Sequence, residues 1–182
     1  MAVPPATFSE PSKRLFFALA ATPALRKSIS QWRAGLRLRS GKPVPAENFH
    51  VTLMFLGAVP IRDIAAICHA IDHMPRPGGS LLLGLDHLDL WQNVGALVLA
   101  AEQPPKNLLR LVYDVQQAVL PLGFSDAHRE YRPHLTLARD VRGGVPEAMV
   151  APEFMLRATA FGLYESVKGR YRLVREWPLV GG

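Results

Sequence analysis

His50-Val51-Thr52-Leu53 recurs later in the chain as His134-Leu135-Thr136-Leu137. Each copy sits in an apolar run, and in a strand residues i and i+2 point to one face, so each His projects together with its Thr. The chain holds 6 His, and chance placement gives far less than one such pair, let alone two that both continue into Leu. Two matched pairs point to one site built from two halves.

The segments around the motifs repeat as well. A strand at about 14–20 leads into a helix at about 23–38, with Thr22 as N-cap, Pro23 as first helical residue and Leu25, Ile29, Trp32 and Leu36 at helical spacing. After a turn at Gly41-Lys42-Pro43 comes the first motif strand, 48–57, ending at Gly57. In the second half a strand at 95–101 precedes a helix at 105–120, ended by Pro121 and Gly123, and then the motif strand 133–140. Between the halves lie a helix at 60–73, a break at Met74–Gly79, and one strand near 80–91 that turns at Gln92-Asn93. The tail reads as a hairpin, 154–167 and 171–179, about a Lys168-Gly169 turn. A duplicated strand-helix-strand unit related by a pseudo-twofold would set His50 and His134 face to face across a groove.

Composition allows this without a staple. At 182 residues, 49% hydrophobic and 20% charged, the chain can bury a core of its own, and its one cysteine, Cys68, reads as a small buried hydrophobe in a helix. Residues 1–12 read as a flexible leader and 13–182 as a single bilobal domain. Lys13-Arg14 before Leu15–Ala21 imitates a short signal peptide, but the apolar stretch is brief and Glu10 precedes it, so a first core strand is the better reading. No apolar run reaches the ~20 residues of a membrane span, and a cytoplasmic location is expected. The net charge of +6 favours an anionic partner, and the scatter of the basic residues suits a substrate with a few phosphates better than duplex DNA.

Imidazole titrates near neutrality without help, so two opposed histidines can act as acid and base in one displacement at phosphorus. The Thr52 and Thr136 hydroxyls, held by stiff χ1 angles, can donate to the phosphoryl oxygens. No metal or cofactor is required. His69 and His73 lie one turn apart on a helix but lack the further ligands of a zinc site, so they read as helix surface. His87 reads as a solvated sheet face, and His128 lies in a polar loop without an assigned role. Phe55 and Arg139 each stand five residues beyond a motif His, an odd step that points them away from the His face unless a bulge intervenes. Spacing alone makes them a core Phe and a surface Arg.

Four phrases then fall in a known order: Arg14-Leu15-Phe16-Phe17-Ala18-Leu19, Asn48 to Gly57, Arg132-Pro133-His134-Leu135-Thr136-Leu137-Ala138-Arg139, and Leu163-Tyr164-Glu165-Ser166. Together they resemble the two-histidine phosphoesterases, and within them the RNA 2′,3′-cyclic phosphodiesterases, also called 2′-5′ RNA ligases. The resemblance implies an α+β fold of two lobes, with two mainly antiparallel sheets around a central cleft and helices outside. It implies metal-independent hydrolysis of RNA 2′,3′-cyclic phosphate ends to 2′-phosphates, with 2′-5′ joining as the reverse reaction. His50 corresponds to the family's proton donor and His134 to its proton acceptor. Thr52 and Thr136 match the phosphate-binding threonines, while Phe55 and Arg139 match positions that contact the nucleotide. The expected partner is RNA bearing a cyclic phosphate end, with no membrane and no protein partner, and the expected state is a monomer. Two alternatives remain at this point: a non-catalytic RNA-end-binding module, and a cyclic phosphodiesterase for small nucleotides.

Overall fold

The computed structural model describes residues 9–126 and 130–180. Most of the expected leader and His128 lie outside these residues. Ten strands and three α-helices follow in the order β1 (Ser12–Ala20), α1 (Pro23–Ala34), β2 (Lys42–Pro43), β3 (His50–Pro60), α2 (Ile64–Asp72), β4 (Leu81–Leu85), β5 (His87–Trp91), β6 (Ala96–Ala100), α3 (Lys106–Val119), β7 (His134–Arg139), β8 (Phe154–Ala158), β9 (Ala160–Val167) and β10 (Arg170–Pro178).

The fold is α+β with two sheets. The larger runs β10-β9-β1-β3-β7-β6-β5, with β2 added beside β7, and the smaller pairs β4 with β8. The expected duplication is visible in the strand order. β1 and β3 flank α1 as β6 and β7 flank α3, and β3 and β7 meet at the centre through one antiparallel pair, Val51 with Leu135. Both of these side chains are fully buried. Their neighbours in each strand, His50 and Thr52 on one side and His134 and Thr136 on the other, therefore project to the opposite face.

Local chemistry sets the boundaries. The Thr22 hydroxyl accepts a hydrogen bond from the Leu25 amide and caps α1 as expected. That helix stops at Ala34 with Gly35 as its C-cap, short of residue 38, and Leu36 reaches the core from the following turn. β3 runs through Gly57 to Pro60 because the chain absorbs an extra residue at Leu56, with Gly57 at φ +77°. The apolar stretch 80–91 divides at Asp86, β4 joining the small sheet and β5 the large one. The tail hairpin turns at Lys168-Gly169 with both φ positive, the geometry that matches strand twist, and Thr159 splits its first arm into β8 and β9.

The core joins Leu15, Phe17 and Leu19 of β1 to Val51 and Leu53, Leu97 and Leu99, and Leu135 and Leu137, under Ile67 and Ile71 of α2 and Leu108, Leu111 and Val115 of α3. Leu15–Leu19 is buried throughout, as befits a central strand covered on both faces. Cys68 is buried on α2, and His69 and His73 stand exposed beside each other. Among the described residues no helix is long and apolar enough to cross a membrane.

Candidate active site

The two motif strands carry the same defect at the same place. Along β1 and β3 the register passes from Ala18–Thr52 to Phe17–Met54, so Leu53 is an extra residue. Along β6 and β7 it passes from Val98–Thr136 to Leu97–Ala138, so Leu137 is its counterpart. In both strands the motif His and Thr are half-buried, the two residues after the Thr are both buried, and the next is exposed. Each bulge flips the alternation once and brings Phe55 and Arg139 back to the face of the histidines. Both line the same cleft as His50, Thr52, His134 and Thr136, a cavity of about 630 Å³.

Each histidine is oriented by the backbone just before it. The His50 Nδ1–H donates to the Asn48 carbonyl at 2.6 Å, and the His134 Nδ1–H donates to the Arg132 carbonyl at 2.8 Å. A carbonyl can only accept, so in each neutral ring the proton sits on Nδ1 and the lone pair on Nε2. For His50 that lone pair accepts a hydrogen bond from the Thr52 hydroxyl at 2.9 Å. Asn48 is itself anchored, since its buried side chain donates to the Gly169 carbonyl at 2.8 Å, tying the first motif to the β9–β10 turn.

The surroundings of the two rings differ. His50 is walled by Phe16 (ring centroids 5.2 Å apart) and by Tyr171 (5.0 Å, perpendicular). Its pKa is pushed down to about 4, chiefly by burial, with the charges of His134, Arg139 and Arg26 acting in the same direction and the Asn48 carbonyl opposing them. His134 rests against the Trp91 indole at 4.2 Å, and the Arg132 guanidinium lies over that indole at 4.5 Å. Tyr131, whose hydroxyl donates to the Thr52 carbonyl at 2.9 Å, crosses from the second half to the first, and burial raises its pKa.

All six residues singled out in the sequence thus share one cleft. Sequence reading missed Phe16, Trp91, Tyr131 and Tyr171, which line it too. Phe16 and Tyr131 stand within or beside the recognised phrases, and that adjacency was the available signal. Trp91 and Tyr171 come from hairpins whose placement depends on the sheet order. The His69/His73 pair lies away from the cleft lining, as does His87.

Comparison with known proteins agrees with this architecture. The family model described as LigT-like phosphoesterase matches twice, over residues 19–96 and 98–174, once for each half. The chain is 32% identical over 176 residues to a protein of Escherichia coli K12 named RNA 2′,3′-cyclic phosphodiesterase, covering 94% of this chain and 98% of that one. It is 30% identical to a Thermus thermophilus protein of the same name, covering 89% and 81%. The crystal structure of E. coli LigT complexed with 3′-AMP superposes with a TM-score of 0.84 at 30% identity, covering 94% of this chain and all of that one. With a family match in each half, two bulges in matched positions and one cleft shared by both motifs, the chain belongs to the LigT-like phosphoesterase family.

Proposed function

We infer that the protein hydrolyses RNA 2′,3′-cyclic phosphate ends to 2′-phosphates by acid–base catalysis between His50 and His134. The observation that carries this reading is the matched presentation of two imidazoles, each with Nδ1 tied to a carbonyl two residues back, in one cleft with one threonine apiece. Relatives that bear the name RNA 2′,3′-cyclic phosphodiesterase along nearly the whole chain support it.

In this mechanism His134 Nε2 takes a proton from water as the water oxygen attacks phosphorus. The bond from phosphorus to the 3′ oxygen breaks, and His50 delivers a proton to that oxygen, leaving a 3′ hydroxyl and a 2′-phosphate. Thr52 and Thr136 donate to the non-bridging oxygens as charge gathers on them. Phe55 offers a face for the terminal base, and Arg139 a guanidinium for phosphate or base. With its pKa lowered to about 4, His50 is neutral at pH 7 and acquires its proton together with the substrate. The phosphate anion offsets the positive charges that oppose protonation. Joining of 2′,5′ ends is the same path reversed, with the acid and base roles exchanged. Since one chain supplies both halves of the site, residues 13–182 act as one domain and the working unit is a monomer, placed in the cytoplasm with its RNA.

The test is a short RNA ending in a 2′,3′-cyclic phosphate, incubated in EDTA with wild type, His50→Ala and His134→Ala. Wild type should yield the 2′-phosphate, and each variant should lose ~10²–10⁴-fold in turnover. A wild type that binds the RNA and leaves its end intact would make the protein an end-binding module, and a variant with full rate would remove that histidine from the mechanism.

A further inference from the structure

Two basic runs far apart in the sequence, Arg37/Arg39/Lys42 and Arg139/Arg142, are brought together at the C-terminal end of β7. There β2 pairs Lys42 with Arg139. Just beyond, residues 37–40 and 141–147 enclose a second cavity of about 410 Å³, into whose lining Arg37, Arg39 and Arg142 all enter.

The walls of this cavity are fastened to each other and to the cleft. The Ser40 hydroxyl accepts from the Arg142 amide at 2.9 Å and donates to the Arg142 carbonyl at 3.1 Å, closing the two loops on one another. The Val141 amide donates to the Gly95 carbonyl at 2.9 Å, and the Gln92 side-chain amide donates to the Gly143 carbonyl at 3.2 Å. The β5–β6 turn that makes these bonds also supplies Asn93 and Val94 to the catalytic cleft. Arg139 lines that cleft, and three residues of extended chain put the Arg142 Cα no more than about 11 Å beyond it. The second cavity is therefore the next stop along β7 from the cleft.

Its charge is unbalanced. Arg37, Arg39 and Arg142 are exposed, and among the described residues none is ion-paired, while Lys42 is held by Asp140 at 3.5 Å and Glu147 is the acidic member of the lining. A polyanion leaving the cleft toward this end of β7 meets a surplus of positive charge. Planar guanidinium groups suit phosphate oxygens better than any other side chain.

We propose that this second cavity holds the phosphodiester backbone of the RNA strand leading to the cyclic end, with Arg37, Arg39 and Arg142 on its phosphates. The proposal rests on the reading of the cleft as the site for that end. It makes the enzyme selective for RNA chains over free cyclic nucleotides.

The test compares wild type, Arg37→Ala/Arg39→Ala/Arg142→Ala and the corresponding triple Lys variant on two substrates, a 2′,3′-cyclic mononucleotide and a decamer ending in a 2′,3′-cyclic phosphate. In the Ala variant the ratio of decamer to mononucleotide kcat/KM should fall at least tenfold, and the salt dependence of decamer turnover should flatten by a log–log slope of about 2. The Lys variant should recover part of the ratio. Equal losses on both substrates, or an unchanged ratio, would overturn the proposal. If wild type turns over neither substrate, the reading of the cleft fails. Anisotropy of a labelled decamer with a 2′-phosphate end then decides the cavity by itself: binding at least tenfold weaker in the Ala variant sustains it, and equal binding refutes it.

Discussion

At the residue scale, the two histidines share a sequence phrase and a backbone tether but meet different surroundings. His50 lies between Phe16 and Tyr171 in a setting that disfavours charge, so in the unliganded protein it is neutral across the neutral range. Its native pKa lies below the unfolded value of about 6.5, so its contribution to stability is full above pH 6.5 and is lost progressively as pH falls toward 4. An anion in the cleft reverses the electrostatic part of that preference. Phosphate or 3′-AMP binding at pH 7 should therefore be accompanied by proton uptake, measured by titration calorimetry in two buffers of different ionisation enthalpy, and His50→Gln should remove most of it. Uptake that persists unchanged in His50→Gln would assign the proton to another group. The histidines and threonines were legible in the sequence because a strand makes i and i+2 neighbours. Trp91 was not, because nothing local announces that the end of β5 will lie against His134.

At the element scale, the decisive units are two strands with one surplus residue each. The odd spacing of Phe55 and Arg139 was visible in the sequence, and so was the requirement for a bulge to turn them inward. The bulge itself was not visible, since Leu53 and Leu137 look like ordinary members of an apolar run. The same limit made 80–91 look like one strand. The Leu residues resume at Leu88 with no Gly, Pro or Asn between to mark a break, although the apolar phase shifts by one across Asp86-His87, and the pairing of the two halves with different sheets divides it. Gly41 marks where the segment before β2 crosses the end of β7. It has φ +94°, and a Cβ there would stand 2.6 Å from Val141 Cγ2 and 2.8 Å from the Arg139 carbonyl oxygen. Gly41→Ala should cost roughly 2–4 kcal/mol of stability, from the strained backbone and the overlap together, as a lower denaturation midpoint at unchanged m-value. An unchanged midpoint would mean that the crossing is loose.

At the scale of the whole molecule, the halves were legible as a repeat because each is a complete strand-helix-strand unit with its own caps and turns. How they dock was not written in either one. The central strands meet at one rung, Val51 with Leu135, with β2 against β7 and the Tyr131 hydroxyl on the Thr52 carbonyl adding further links between the halves, and the face opposite that rung opens on the cleft. A mechanism made only of titrating side chains on this frame should give a bell-shaped dependence of kcat/KM on pH and an activity indifferent to EDTA. Loss of activity on chelation, restored by a divalent metal, would refute it.

The paired tethers from Asn48 and Arg132 also bear on direction. A twofold frame supplies two interchangeable proton carriers and so has no arrow of its own. Under the mechanism proposed above, the arrow comes from the company each keeps: Phe16 and Tyr171 around His50, and Trp91 with the Arg132 guanidinium over it beside His134. On that mechanism the walls of the cleft decide which bond breaks, and exchanging those walls would reverse the preferred chemistry while leaving every letter of both motifs in place.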